Sequence, residues 1–300
     1  MVNLNSSYRG RFAPSPTGPL HFGSLYTAIA SFLQARSNKG QWLVRIDDLD
    51  PFRSKEEYST LILKTLEQYS LTWDEDVFYQ SSRQEAYRHA LNDLNQRQLL
   101  YPCQCSRKDL AKRLIKNNIY DGYCLNNKPT ADAATSLRIK VSSERITLKD
   151  LVQGTSQQNL AKQLGDFVIF RKDHVYAYHL AVVLDDHEQN ISDILRGYDL
   201  LDSTFRQIYL QQQLQIATPS YAHIPVISGA DGAKLSKQTF ASDVSLAPVR
   251  ETLINALAHL NLNPPKELIA STPTEILDWA TNQWSLDKIQ AKDSILLQMN

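Results

Sequence analysis

Two short stretches carry residue types suited to gripping nucleotide phosphates. The first runs Arg11-Phe12-Ala13-Pro14-Ser15-Pro16-Thr17-Gly18-Pro19-Leu20-His21-Phe22-Gly23-Ser24. The second is Lys234-Leu235-Ser236-Lys237-Gln238, with Gly229, Gly232 and Thr239 around it. A loop that feeds a helix N-terminus is a ready anion site, because unpaired backbone N–H groups and the helix dipole both favour phosphate. His21 just before such a helix can hydrogen-bond a phosphoryl oxygen as charge builds on it. Gly23 leaves room for a nucleotide to lie against the backbone. Two lysines in a glycine-bounded loop can close on a triphosphate. Each stretch alone also fits a plainer picture, a capped helix start with an incidental histidine or a solvated basic loop. Both together, in this order around an α/β core, point to activation of a carboxylic acid by ATP.

A third cluster has a different chemistry. Cys103, Cys105, Tyr120 and Cys124 offer three thiols and a phenol within a short span. Thiolates bind zinc tightly, and closed four-coordinate sites are structural. The residues alone fit three reduced thiols equally well.

Elements able to position these groups can be read from the pattern. Gly10–Ala13 reads as a strand, followed by a Pro/Gly-rich loop. Leu25, Ala28, Ile29, Phe32 and Leu33 then recur at helical spacing, and Asn38-Lys39-Gly40 ends that helix. Gln41–Ile46 reads as a buried strand, so the chain begins with a βαβ unit. Ser54 and Glu57 have capping-box spacing for a helix through Leu71. Ser136–Val141, Arg145–Leu148 and Phe167–Phe170 read as strands, and Tyr176–Leu184 and Ser203–Leu214 as helices. His223–Ile227 reads as one strand before the lysine loop. Residues 243–300 read as mainly helical, broken at Pro264-Pro265 and Pro273. The expected division is 1–100 and 166–242 as two halves of a Rossmann-like catalytic domain, 101–165 as an insertion, and 243–300 as a helical C-terminal segment.

Bulk composition narrows the setting. Lys plus Arg is 32 and Asp plus Glu is 32, so a net zero charge argues neither for nor against nucleic acid. The first ten residues are polar, unlike a secretory signal, and no apolar run is long enough for a membrane span. Three clustered cysteines are too few for a disulfide framework. The expectation is a cytoplasmic monomer with no membrane partner.

His21-Phe22-Gly23-Ser24 resembles the HIGH signature, and Lys234–Gln238 the KMSKS signature, of class I aminoacyl-tRNA synthetases. Ser24 stands where the second histidine is usual, and Gln238 where the last serine is. Gly10–Leu20 resembles the glutamyl branch, as do Arg45–Pro51 and Leu195–Leu200. The resemblance implies an α/β fold with a Rossmann-like parallel sheet. It implies glutamate binding by Arg11, Phe12, Ala13, Pro14, Ser15, Asp47, Tyr178 and Arg196. The two arginines would face the substrate carboxylate and Asp47 its ammonium, although the family usually has glutamate at that place. It implies ATP binding by His21, Gly23, Ser24, Lys234 and Lys237, with His21 and Lys237 catalytic and Mg²⁺ carried by the phosphates.

Cys-x-Cys followed by Tyr-Asp-Gly-x-Cys resembles the zinc site of one branch, the glutamyl-Q tRNA(Asp) synthetases. The resemblance implies one structural Zn²⁺ on Cys103, Cys105, Tyr120 and Cys124. The stretch after Gln238 is too short for the helical anticodon-binding region of a full glutamyl-tRNA synthetase. The branch resemblance therefore implies activation of L-glutamate without tRNA, then transfer to the queuosine base of tRNA(Asp). The alternatives are a truncated enzyme charging the 3′ end of tRNA(Glu), a HIGH-type nucleotidyltransferase acting on a small molecule, and a non-catalytic RNA-binding relative.

Overall fold

The computed structural model describes residues 8–113, 119–229 and 243–297. Its strands are β1 (Arg9–Phe12), β2 (Gln41–Ile46), β3 (Phe78–Tyr79), β4 (Leu100–Cys103), β5 (Ser136–Ile139), β6 (Arg145–Asp150), β7 (Gly154–Asn159), β8 (Phe167–Phe170), β9 (Asp193–Gly197), β10 (Ser220–Ile224), β11 (Val226–Ser228) and β12 (Ser294–Leu296). Its helices are α1 (Phe22–Ser37), α2 (Glu56–Gln68), α3 (Gln84–Gln96), α4 (Arg107–Arg113), α5 (Tyr123–Asn126), α6 (Leu160–Gln163), α7 (Tyr178–Glu188), α8 (Leu201–Leu214), α9 (Val249–His259) and α10 (Pro273–Gln283).

The centre is parallel β-structure covered by helices, the α/β class expected from the βαβ start. β1 pairs parallel with β2 and β2 with β3. β10 lies parallel between β6 and β9. The two sets meet where the Ser192 N–H donates to the Arg9 carbonyl at 3.0 Å, just ahead of β9. Almost every residue of β2 is buried, as a parallel strand covered on both faces requires. α1 is buried nearly all round because it lies between that sheet and the C-terminal helices α9 and α10. Its end is followed by Lys39 at φ 53°, and at Gly40 a Cβ would collide with the Tyr8 carbonyl oxygen, so only glycine lets the chain entering β1 and β2 come together.

A second, antiparallel sheet has the order β4-β5-β8. Residues 101–165 therefore divide between two sheets. β5 joins the antiparallel sheet, while the β6–β7 hairpin extends the parallel one.

Four local expectations change. Ser54 does not cap α2; Lys55 is the N-cap and has no side-chain cap bond. The cause is tertiary, since the Lys55 N–H donates to the Pro16 carbonyl at 3.0 Å and ties this turn to the first motif. The strand expected over His223–Ile227 splits at Pro225, which has no N–H for a ladder. The C-terminal segment holds a strand as well as helices, for β12 pairs parallel with β11. Pro273 opens α10 rather than breaking a helix, behind a Thr272–Glu275 capping box.

Candidate active site

The carboxyl ends of β1 and β9 and the start of α1 enclose a cavity of about 340 Å³. Arg11, Phe12, Ala13, Pro14 and Ser15 line one side, and Tyr178 and Arg196 the other. His21, Gly23, Ser24 and Thr27 bring the first turns of α1 to the same space. Ligands of open α/β sheets bind in this kind of crevice.

His21 is the N-cap of α1, with φ −102° and ψ 168°. Its Nδ1 accepts from the Ser24 N–H at 3.2 Å, and its Nε2 lies 3.0 Å from Ser24 Oγ. An accepting Nδ1 puts the proton of a neutral ring on Nε2. Ser24 Oγ can then accept from the ring and leave its own proton for a phosphoryl oxygen. The space over Gly23 belongs to this ring: a Cβ at 23 would sit 3.2 Å from His21 Cε1 and 3.3 Å from Nδ1. The glycine therefore serves the histidine's placement as well as any nucleotide. Asp243 forms a bridge to His21, so the chain returning from the lysine motif runs beside the helix start. Lys234 and Lys237 themselves lie outside the described residues.

The two arginines have different surroundings. Arg11 is buried and gives Nε and Nη2 to the two oxygens of Asp186, at 2.9 and 3.3 Å. Arg45 also binds Asp186, Nη1 to Oδ1 at 2.6 Å, and reaches Asp47 Oδ1 through Nε at 2.8 Å. Arg196 is buried with Nε on His223 and Nη2 on Thr204 and Gln207. Its Nη1 is buried with no partner among the described residues. A buried guanidinium donor without a partner, on a residue that lines the cavity, suits a charge-assisted bond to an incoming carboxylate.

Asp47 stands behind the cavity wall. Its N–H donates to the Pro14 carbonyl at 3.0 Å and its carboxylate is taken by Arg45. Burial raises its pKa to about 6, against the pull of Arg45. Asp186 goes the other way: burial works against its charge, but Arg11 and Arg45 together hold its pKa below the usual range.

The three cysteines form a separate buried cluster, their sulfurs all within 4.8 Å of one another. Cys105 and Cys124 sulfurs are 3.4 Å apart. The Tyr120 hydroxyl lies 3.5 Å from Cys103 Sγ and 3.9 Å from Cys105 Sγ. This cluster can hold a metal ion. Burial disfavours a Cys103 thiolate, but bonds from Tyr120 and Arg138 outweigh it and lower its pKa to about 7. Burial, aided by Cys124, pushes Cys105 up to about 11.

Residues 7–262 match the family described as tRNA synthetases class I (E and Q), catalytic domain. The chain belongs to this family. Among its relatives, a protein of Methylococcus capsulatus named glutamyl-Q tRNA(Asp) synthetase is 47% identical over 286 residues, 95% of this chain and 94% of that one. The like-named protein of Neisseria gonorrhoeae is 46% identical over 288 residues, 94% of this chain and 97% of its own. A solved glutamate-tRNA synthetase from Elizabethkingia anophelis superposes with a TM-score of 0.75 at 23% identity, covering 98% of this chain and 68% of that one, which supports the fold. Among the described residues, no helix is long and apolar enough to cross a membrane.

Within this class I synthetase, a ligase, the cavity gathers every described residue expected to bind glutamate or ATP except Asp47. The sequence reading missed Arg45, Asp186, His223 and Asp150, which carry the arginines from behind. One signal, for Asp186 alone, was present: Asp185-Asp186 follows the apolar run Leu180–Leu184, and acids on a buried helix need partners.

Proposed function

We propose that this chain activates L-glutamate with ATP, without tRNA, and then transfers glutamate to the queuosine base in the anticodon of tRNA(Asp). The reading is carried by near full-length similarity to proteins of that name, at 46–47% identity. It is supported by a cavity lined by an arginine with an unpartnered donor, a tyrosine and a helix N-terminus.

In this reading Arg196 and Arg11 face the side-chain carboxylate of glutamate, and Tyr178 hydrogen-bonds to it. The backbone and side chains from Phe12 to Ser15 shape the pocket. Asp47, one methylene shorter than the family's glutamate, reaches the ammonium through a bridging water. An α-carboxylate oxygen attacks the α-phosphorus in line, the bond to the β-phosphate oxygen breaks, and pyrophosphate leaves. His21, acting through the Ser24 hydroxyl that accepts its Nε2–H, and the Lys237 ammonium stabilise charge on the phosphates, with Gly23 and Lys234 completing the ATP site. Magnesium carried by the ATP phosphates neutralises part of their charge when bound. A hydroxyl of the modified base then attacks the adenylate carbonyl, and AMP leaves.

Zinc fits the thiol cluster, because three mutually close sulfurs and a phenol make a closed four-ligand set. Cys103, Cys105, Cys124 and Tyr120 would hold it. Its work would be structural, tying β4 to the α5 turn.

The test supplies ATP and labelled glutamate with tRNA(Asp) that contains or lacks queuosine, and with tRNA(Glu). Label on queuosine-containing tRNA(Asp) alone is expected. Label on tRNA(Glu), or on tRNA(Asp) without queuosine, refutes the acceptor. Absence of glutamate-dependent pyrophosphate exchange refutes the activation step.

A further inference from the structure

Arg196 is held through a line of groups that crosses three neighbouring strands. Asp150 ends β6, His223 lies in β10 and Arg196 in β9, and these strands are adjacent in the order β6-β10-β9. Asp150 Oδ2 is 2.6 Å from His223 Nδ1, and His223 Nε2 is 3.1 Å from Arg196 Nε. The guanidinium Nη2 is fixed on Thr204 Oγ1 and Gln207 Oε1, each at 2.7 Å. All five side chains are buried. With Nε and Nη2 so committed, Nη1 is the donor left over, and Arg196 lines the cavity.

The proton positions follow from the donor set. Arginine has donors only, so the ring nitrogen facing Arg196 must present a lone pair. The imidazole proton therefore sits on Nδ1, where Asp150 accepts it. Burial is the foremost influence on His223 and lowers its pKa against the pull of Asp150, in keeping with a neutral ring. Asp150 has a second duty: its Oδ1 accepts from the N–H groups of Val152 (3.0 Å), Gln153 (2.9 Å) and His223 (3.1 Å).

We propose that Asp150 and His223 are positioning residues for substrate selection: they hold the imidazole proton on Nδ1, so that Nε2 receives the Arg196 Nε–H and Nη1 is left for the side-chain carboxylate of the amino-acid substrate. This rests on the glutamate reading above.

Asp150→Asn tests it with little change of shape. The three backbone N–H groups keep the amide oxygen at the Oδ1 position, so the NH₂ must face His223 Nδ1. That face then needs a lone pair, and the proton moves to Nε2, where it can turn to Thr204 Oγ1 at 3.0 Å and no longer accepts the Arg196 Nε–H. In tRNA-free pyrophosphate exchange the glutamate KM is expected to rise about tenfold or more while the ATP KM stays within about twofold, since a buried charge-assisted bond is lost only on the glutamate side. His223→Gln can give its amide NH₂ to Asp150 and its oxygen to Arg196, and recovers a glutamate KM within about threefold of wild type; His223→Leu matches Asp150→Asn. Imidazole ¹⁵N NMR of the wild type is expected to show Nδ1–H at His223, and Nε2–H in Asp150→Asn. A wild-type Nε2–H ring overturns the proposal. So does an unchanged glutamate KM in Asp150→Asn, or an equal rise in both KM values. A wild type with no glutamate-dependent exchange overturns the glutamate reading instead, and the NMR still decides the tautomer.

Discussion

Arg11 and Asp186, 175 positions apart, are joined by two bonds at 2.9 and 3.3 Å in a buried site. Asp186 also binds Arg45 at 2.6 Å, so one carboxylate on α7 orients a cavity arginine on β1 and a supporting arginine on β2. Breaking such a buried pair from one side leaves uncompensated charge. Asp186→Asn is expected to cost about 3 kcal/mol of folding stability and to weaken glutamate binding as well. Urea unfolding measures the first effect and pyrophosphate exchange the second. A loss below about 1 kcal/mol contradicts the assigned role.

The same network predicts a pH dependence. At its centre the buried carboxylates of Asp47 and Asp186 share the guanidiniums of Arg11 and Arg45, and Asp185 beside them faces Arg83. Burial raises Asp47 to about 6, above its unfolded value of about 3.9. The folded state therefore binds more protons than the unfolded state between those values, and this group adds stability as pH falls from above 6 toward 4. Asp186 has the opposite sign: its contribution is present above the unfolded value and is lost as pH falls through its depressed folded pKa. Asp47→Asn is expected to flatten the change in unfolding free energy between pH 5 and 7 relative to wild type. Parallel curves for the two proteins overturn this assignment.

Much of this was legible because the signals are local. A strand, a Pro/Gly loop, His21 and a helical period lie within one βαβ unit, and the elements follow that pattern. Arg11 and Arg196 stand at strand positions that the surrounding strings marked. What was not legible depends on contacts far apart in the chain. Nothing near Asp186 names Arg11, and nothing near His223 names Asp150. Ser54 had the right spacing for a cap, yet a bond from Lys55 to Pro16 moved the helix start. β12 has three residues and becomes a strand only because β11 offers it an edge.

Gly23 yields a prediction in which stability and activity part. It lies in the first turn of α1, where alanine is the better helix former by up to about 1 kcal/mol. The added Cβ would lie 3.2 Å from His21 Cε1, so the ring must give way by a few tenths of an ångström, which disturbs its bonds to Ser24. Gly23→Ala is expected to keep or slightly raise the melting temperature while lowering kcat for exchange by about tenfold or more, the scale for disturbing one stabilising donor. An active Gly23→Ala enzyme with normal kcat removes the claim that this glycine places the histidine.

The thiol cluster gives the last prediction. If a structural zinc is held there, purified protein contains about one zinc per chain, and replacement by Co²⁺ gives thiolate charge-transfer absorption. Cys124→Ser removes a ligand whose sulfur lies 3.4 Å from that of Cys105, and is expected to abolish stoichiometric metal. Tyr120→Phe removes only the phenol and is expected to weaken metal binding by about tenfold, the lower end of the range for changes around a metal site. A strong chelator lowers the melting temperature of the wild type but not of Cys124→Ser. Below that transition both keep glutamate-dependent exchange, because the cluster shares no residue with the cavity lined by His21 and Arg196. Metal-free wild type with an unchanged melting temperature rules out a structural zinc.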